Sequence, residues 1–230
     1  AAIEASLTEL APILGGDRGG IAQFSEEGRC LYFTHPYAAP GADRRLFNSD
    51  LAAAHPWWAA ELRAGRPVIV PRVPEGLPEE AVAEWAHAAA LGLKSHLALP
   101  LKVGDEVLGA LGVDHVAAYR DWSPGFLSRL QTLAGVYANA LYRRRARERL
   151  QQAADLNRSV LASVSSEIVV IDREGRVVSA NEAWTRSRRR QGLAAEPLVN
   201  GGDYLASAPE AHGRGLIDAR EALLGLRAVL

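Results

Sequence analysis

A single cysteine and no methionine occur among the 230 residues. Cys30 has no partner for an internal disulfide and no CxxC neighbour to begin a zinc site. The histidines, His35, His55, His87, His96, His115 and His212, share no spacing with acidic residues that a metal would require, so no metal site is expected. Methionine is missing even at position 1, and the chain reads as a piece of a longer polypeptide. No run approaches the roughly 20 apolar residues of a spanning helix, and the N-terminus lacks the basic-then-apolar order of a secretory signal. No membrane partner is expected, and the cytoplasm is the expected compartment. A net charge of −1 gives no general attraction to nucleic acid. The arginine runs at 143–149 and 186–190 carry no interleaved aromatics and read as solvated helix faces, so nucleic acid is not an expected partner. GxxxxGK[ST], GxGxxG after a strand, HExxH and GxSxG are all absent, and no catalytic residue is assigned.

What is present is an ordinary globular composition, 48% hydrophobic and 23% charged, enough for two modest domains. An apolar stretch at 20–24, a Glu26-Glu27-Gly28 turn and a second stretch at 29–35 read as a β-hairpin. Helical spacing follows over 49–63, with Pro56 starting or interrupting a turn. Val68-Ile69-Val70 lies between Pro67 and Pro71 and suits only a short edge or connecting strand. A helix is expected over 78–91, with Pro78 in its first turn and Gly92 as its C-cap. A second hairpin over 95–113 completes an antiparallel sheet. Ser123-Pro124 then opens a helix that nothing breaks until about Ser163, far beyond the roughly 11 or 12 residues of a mean helix.

Such a length must be covered. A seam through Leu127, Leu130, Ala134, Ala138, Tyr142, Ala146, Leu150, Ala153, Asn157, Val160 and Val164 steps by threes and fours, a heptad pattern interrupted by stutters. A parallel coiled coil between two copies accounts for it, with Leu130, Leu141, Leu150, Asn157 and Val160 as dimer and signalling positions and Asn157 setting register. Alternatively the first half packs on its own sheet and the second half leads into the next domain.

Two sensor-like signatures flank this helix. Ser95-His96-Leu97-Ala98-Leu99-Pro100-Leu101, the Val103-Gly104-Asp105-Glu106 turn, the run from Val107 to Asp114 and Trp122-Ser123-Pro124 resemble the C-terminal half of a GAF domain. Glu167-Ile168-Val169-Val170-Ile171-Asp172, the Arg173-Glu174-Gly175 turn, Arg176-Val177-Val178-Ser179-Ala180 and Asn181-Glu182-Ala183-Trp184 resemble the opening of a PAS domain. The expected fold class is α+β, with two domains that each carry a central antiparallel sheet flanked by helices. The boundaries are a GAF-like domain at 1–147, a connecting coiled-coil helix at 148–163, and a PAS-like domain at 164–230 that ends before its last three strands.

The resemblance to tandem sensory domains, most like those of a sensor histidine kinase, implies an input module. It would bind a small-molecule signal and pass it through a dimeric helix to an output domain. A ligand-free interaction platform, or the input of a diguanylate cyclase or transcription regulator, is the alternative. The GAF resemblance implies a pocket for a cyclic nucleotide, a tetrapyrrole or a haem, and the cofactor stays unassigned. The Asn-Lys, Phe and Asp-Glu pattern of cyclic-nucleotide members and the cysteine site of bilin members are absent. Trp57, Trp58, Trp85, His96 and Asp114 are the candidate ligand-binding residues. His212 occupies the region where haem-binding PAS relatives place a ligand, beside Gly213 and Gly215.

Overall fold

The structure is a computed structural model and describes residues 14–193, 201–204 and 206, together with Ile3, Ser6, Leu7 and Glu9. The chain divides into two compact units, Ala1–Ala146 and Arg147–Leu230.

In the first unit, five antiparallel strands lie in the order β2-β1-β5-β4-β3: β1 (Arg18–Phe24), β2 (Leu31–Ala38), β3 (Val68–Val70), β4 (Ser95–Val103) and β5 (Glu106–His115). The hairpins and the short edge strand fall where the sequence places them, although β1 begins earlier, at Arg18. Strand alternation sends successive side chains to opposite faces. Leu97, Leu99, Leu101, Leu111, Val113 and Ile21 form one apolar face, while Ala22, Ala98 and Ala110 belong to the other. The large face is covered by α4 (Pro124–Ser163), through Leu130, Ala134, Tyr137, Ala138 and Leu141. The Ser123 hydroxyl caps that helix by accepting from the Phe126 amide at 3.2 Å. Arg145 donates to the Phe24 carbonyl at 2.9 Å.

The small face is covered by α1 (Leu51–Ala54), α2 (Pro56–Arg63) and α3 (Val82–Leu91). A residue before proline is disfavoured in the helical region. His55 accordingly leaves it, at φ −135° and ψ 70°, and α1 and α2 are separate helices rather than one. The helix expected from Pro78 begins only at Val82; Pro78 instead accepts the Ala81 amide in a turn. Its C-cap is Gly92, in the left-handed region. Asp114 is the penultimate residue of β5.

Of the expected seam, the first half is spent on the sheet: Leu130 and Leu141 are buried within the first unit. Tyr142, Leu150, Leu156 and Val160 are exposed.

The second unit holds a hairpin of β6 (Val169–Ile171) and β7 (Val177–Ala180), then α5 (Glu182–Arg190). Asn181 organises it. Its Oδ1 accepts from the Ile168 and Trp184 amides, each at 3.0 Å, while Nδ2 donates to the Val164 and Ser166 carbonyls. Val177 and Trp184 form the buried centre, with Tyr204 against them. His212 and the end of the expected PAS-like domain lie outside the described residues.

One glycine in the central sheet has no substitute. Gly20 sits at φ +130°, paired on both sides, and an added Cβ would run into the His35 carbonyl oxygen. Gly20→Ala should therefore destabilise the first unit by at least about 2 kcal/mol, read as a lowered urea midpoint.

Candidate functional site

Small residues at the middle of a covered sheet leave space. Ala22, Ala98, Ala110 and Gly112 lie beneath α1, α2 and α3, and a cavity of about 50 Å³ remains between them. Its remaining walls are mainly apolar, including Leu31, Phe33, Leu51 and Leu62, with one group of polar side chains.

That group follows from register. Arg18 on β1 and His96 on β4 both pair directly with Asp114 on β5, so the three stand in a row across adjacent strands. Arg18 Nε donates to Asp114 Oδ2 at 2.8 Å, and His96 Nδ1 lies 2.8 Å from Asp114 Oδ1. All three are buried, at 2%, 5% and 7% exposure for Arg18, Asp114 and His96. Burial drives the Asp114 carboxyl upward; the hydrogen bond and charge of His96, then the charge and hydrogen bond of Arg18, outweigh it, and the net displacement is downward. Asp114 is thus a carboxylate, an acceptor only, and His96 Nδ1 carries the proton it receives.

A stack of rings rises from this row. Trp58 lies on His96 with centroids 3.9 Å apart and planes 4° from parallel. His55 stacks on Trp58 at 4.4 Å, and His87 lies tilted against His55, with centroids 4.4 Å apart and planes at 34°. Glu84, fully buried on α3, fixes the position of Trp58: its Oε1 accepts from the Trp57 and Trp58 amides at 2.7 and 3.2 Å. These are first-turn donors of α2 that have no partner within the helix. Burial, then the charges of His87 and His96, push His55 down to about 3, so His55 is neutral near pH 7.

Three residues of the cavity wall carry a buried polar atom without a hydrogen-bond partner: Arg18 Nη2, Trp58 Nε1 and His96 Nε2. Such atoms are costly when left dry.

Of the five candidates from sequence, Trp58, His96 and Asp114 line the cavity. Trp57 is half-buried and engages Glu84 through its backbone, and Trp85 is 42% exposed; neither lines it. Leu150, Asn157 and Val160 are exposed, and Asn157 faces a shallow groove in the second unit that Asn181 also lines. Arg18 and His55 were not anticipated. Arg18 lies just ahead of the segment that alternation marks as strand, and His55 was hidden in a stretch that reads as one helix. A charge abutting Gly-Gly-Ile and a histidine before proline were the only traces of them. No group of three or more potential metal ligands occurs among the described residues.

The profile of the GAF domain matches residues 1–141. The chain belongs to the GAF domain family. No curated protein matches it. Among solved structures it is similar to the blue-light-absorbing form of the PixJ GAF domain of Thermosynechococcus elongatus, at 19% identity over 67% of this chain and 90% of that one, with a TM-score of 0.50. It is similar also to the photoproduct state of the third GAF domain of Slr1393 from Synechocystis sp. PCC6803, at 18% identity over 65% and 97%, TM-score 0.53. A phycocyanobilin-bound GAF domain of a cyanobacterial phytochrome matches at 23% identity over 60% and 81%, TM-score 0.52. These likenesses bear on the fold.

Two outcomes follow for the buried row. Asp114→Asn leaves the Arg18 guanidinium without its counter-charge and should cost about 3–5 kcal/mol in urea unfolding, whereas the double replacement Arg18→Met with Asp114→Leu should cost less than the two single changes added. Because the folded-state value of His55 lies below its unfolded value near 6.5, its contribution is fully present above that value and is lost as pH falls toward about 3. Stability should fall by up to about 1.4 kcal/mol per pH unit in that window, and His55→Phe should flatten the slope.

Proposed function

We propose that this chain is the sensory input part of a cytoplasmic bacterial signalling protein, in which the GAF unit holds a small-molecule signal in the cavity. The observation that carries this reading is the mainly apolar cavity on the small face of the sheet, whose wall includes the buried polar residues Arg18, His96 and Asp114. Family membership supports a sensory role, and helix α4 offers a route onward, since it packs on the sheet through Leu130 and Leu141 and continues to Ser163. In this reading residues 148–163 form a parallel coiled coil between two copies, with Leu150, Asn157 and Val160 in the seam. The unit that follows is a PAS-like domain whose hairpin and Asn181 cap are described above, and the parent is a histidine kinase.

A tetrapyrrole is a poor fit as the guest. The phycocyanobilin-bound neighbour carries one, but the cavity here, about 50 Å³, falls far short of the roughly 300–1,000 Å³ of pockets for drug-sized ligands. Cys30 lies in the turn before β2 and does not line the cavity. The same small volume favours a second reading, in which Trp58 fills the pocket and the domain serves as a dimerisation or interaction platform without a ligand.

Native mass spectrometry of the purified protein separates the two. A discrete retained mass is expected beyond that of the polypeptide; only the bare chain, together with no response to any added small molecule, would favour the platform. Sedimentation should show a dimer at micromolar concentration, and Leu150→Lys with Val160→Lys should shift it to monomer without altering the near-UV signal of the GAF tryptophans. An unchanged dimer in that variant would remove the seam from the interface.

A further inference from the structure

Taking the cavity as the ligand site proposed above, we infer that its guest is a neutral apolar molecule of about two or three heavy atoms, a dissolved gas or a light hydrocarbon, held by packing alone. Size sets the first limit. An apolar cavity of roughly 150 Å³ stays dry and takes one benzene, whereas the space here is about 50 Å³. The wall sets the second. Leu31 and Phe33 on β2, Leu51 on α1, Leu62 on α2 and Ala98 and Ala110 on the sheet line the space with carbon. A small apolar guest gains dispersion contacts with these side chains that an empty space forfeits.

The polar residues of the wall are turned to one another rather than to a guest. Both oxygens of Asp114 are engaged, Oδ2 by Arg18 Nε and Oδ1 by His96 Nδ1, so a cation finds no free carboxylate. Arg18 is spent on that carboxylate, so an anion would have to compete with Asp114 for its charge. His55 is neutral near pH 7. Arg18 Nη2, Trp58 Nε1 and His96 Nε2 are sealed by their neighbours and present no surface for a guest to meet. An ion brought into such a space would lose its hydration without replacement. Water is served little better, since one buried molecule asks for about two to four polar partners, and the groups named are engaged or sealed.

The experiment follows the backbone amides of the isotopically labelled whole chain by two-dimensional NMR while xenon or propane is dissolved under pressure. Formamide, formate and ethylammonium, which match propane in heavy-atom count, serve as the polar and charged comparators. The expected result is saturable shifts at Leu62, Ala98 and Ala110 with xenon and propane, and binding of the three comparators that is at least about tenfold weaker or absent. Propane should also bind at least about tenfold more weakly to Ala98→Val, whose added methyl groups occupy the space. Formamide or either ion binding as tightly as propane overturns the apolar assignment while a small-molecule site stands. Propane affinity unchanged in Ala98→Val places the propane elsewhere and overturns it too. A mass of more than a few heavy atoms retained by the native protein overturns the size assignment, whether or not the gases bind, and leaves the ligand-site reading standing. If none of these probes binds and no mass is retained, both this assignment and the ligand-site reading fall, and the cavity is closed or holds water. Should Ala98→Val fail to fold, Ala88→Leu on α3 takes its place, and the comparison of propane with formamide on the unaltered chain decides.

Discussion

A carboxylate sealed inside a sheet constrains everything around it. Asp114 is 5% exposed, and an isolated charge there would cost far more than the few kcal/mol by which a domain is stable. It persists because Arg18 and His96 reach it from the strands on either side, and they do so only in one register. A slip of one residue would turn Asp114 toward α4 and bring Val113 into its place. The ion pair is a weak source of net stability, since a matched apolar pair could do as well, but it penalises every wrong pairing of β1, β4 and β5. Trp58 extends the same discipline to the helices. It can lie flat on His96 only if α2 begins where Glu84 holds its first amides, so α3, α2 and β4 are set by one chain of contacts.

The two faces of the sheet divide the work between them. On the α4 side, Leu97, Leu99, Leu101, Leu111 and Val113 interdigitate with the helix, and the space left beside Leu7, Leu14, Leu111 and Val113 is only about 10 Å³. On the other side, the same strands carry Ala98, Ala110 and Gly112, and the helices above cannot collapse onto them because the ring stack holds the gap. One face is built for cohesion and the other for vacancy. That asymmetry arises from alternate residues of two strands and is what gives the GAF unit an interior site.

Much of this was legible in the sequence, and the omissions have physical causes. The two hairpins, the edge strand Val68–Val70, the Gly92 cap and the long helix are local features, written in alternation, turn residues and capping groups. His96, Asp114 and Trp58 were accessible as polar or aromatic residues within strong patterns. Their assembly was not, because the pairing of β1 with β5 joins residues nearly a hundred positions apart, and no local signal reports it. Arg18 was missed for that reason: in sequence it is a charge before two glycines, and only the sheet makes it a partner. Trp57 and Trp85 show the converse error. A tryptophan is a good marker of burial or interface, yet of three on adjoining helices only the one under a neighbouring ring faces the cavity. The seam of α4 mixed two functions in one pattern, since its first half satisfies the sheet and only its second half is exposed.

On the proposed reading, the route from cavity to helix is short and runs through the sheet itself. Asp114 and Val113 are consecutive on β5 and lie on opposite faces, one in the charged row and the other in the cluster beneath α4. A guest that fills the cavity presses on the row of Arg18, Asp114 and His96 in its wall, and β5 cannot move there without moving Val113. Close-packed interiors answer such a displacement by repacking between discrete arrangements rather than by yielding gradually. Among the described residues, α4 and the N-terminal Leu7 and Leu14 are what cover that face, so the repacking is taken up there. With Leu130 to Leu141 fixed to the sheet and Leu150 to Val160 exposed, a small rotation at the packed end presents a different stripe at the free end, and a partner helix reading threes and fours would register the difference.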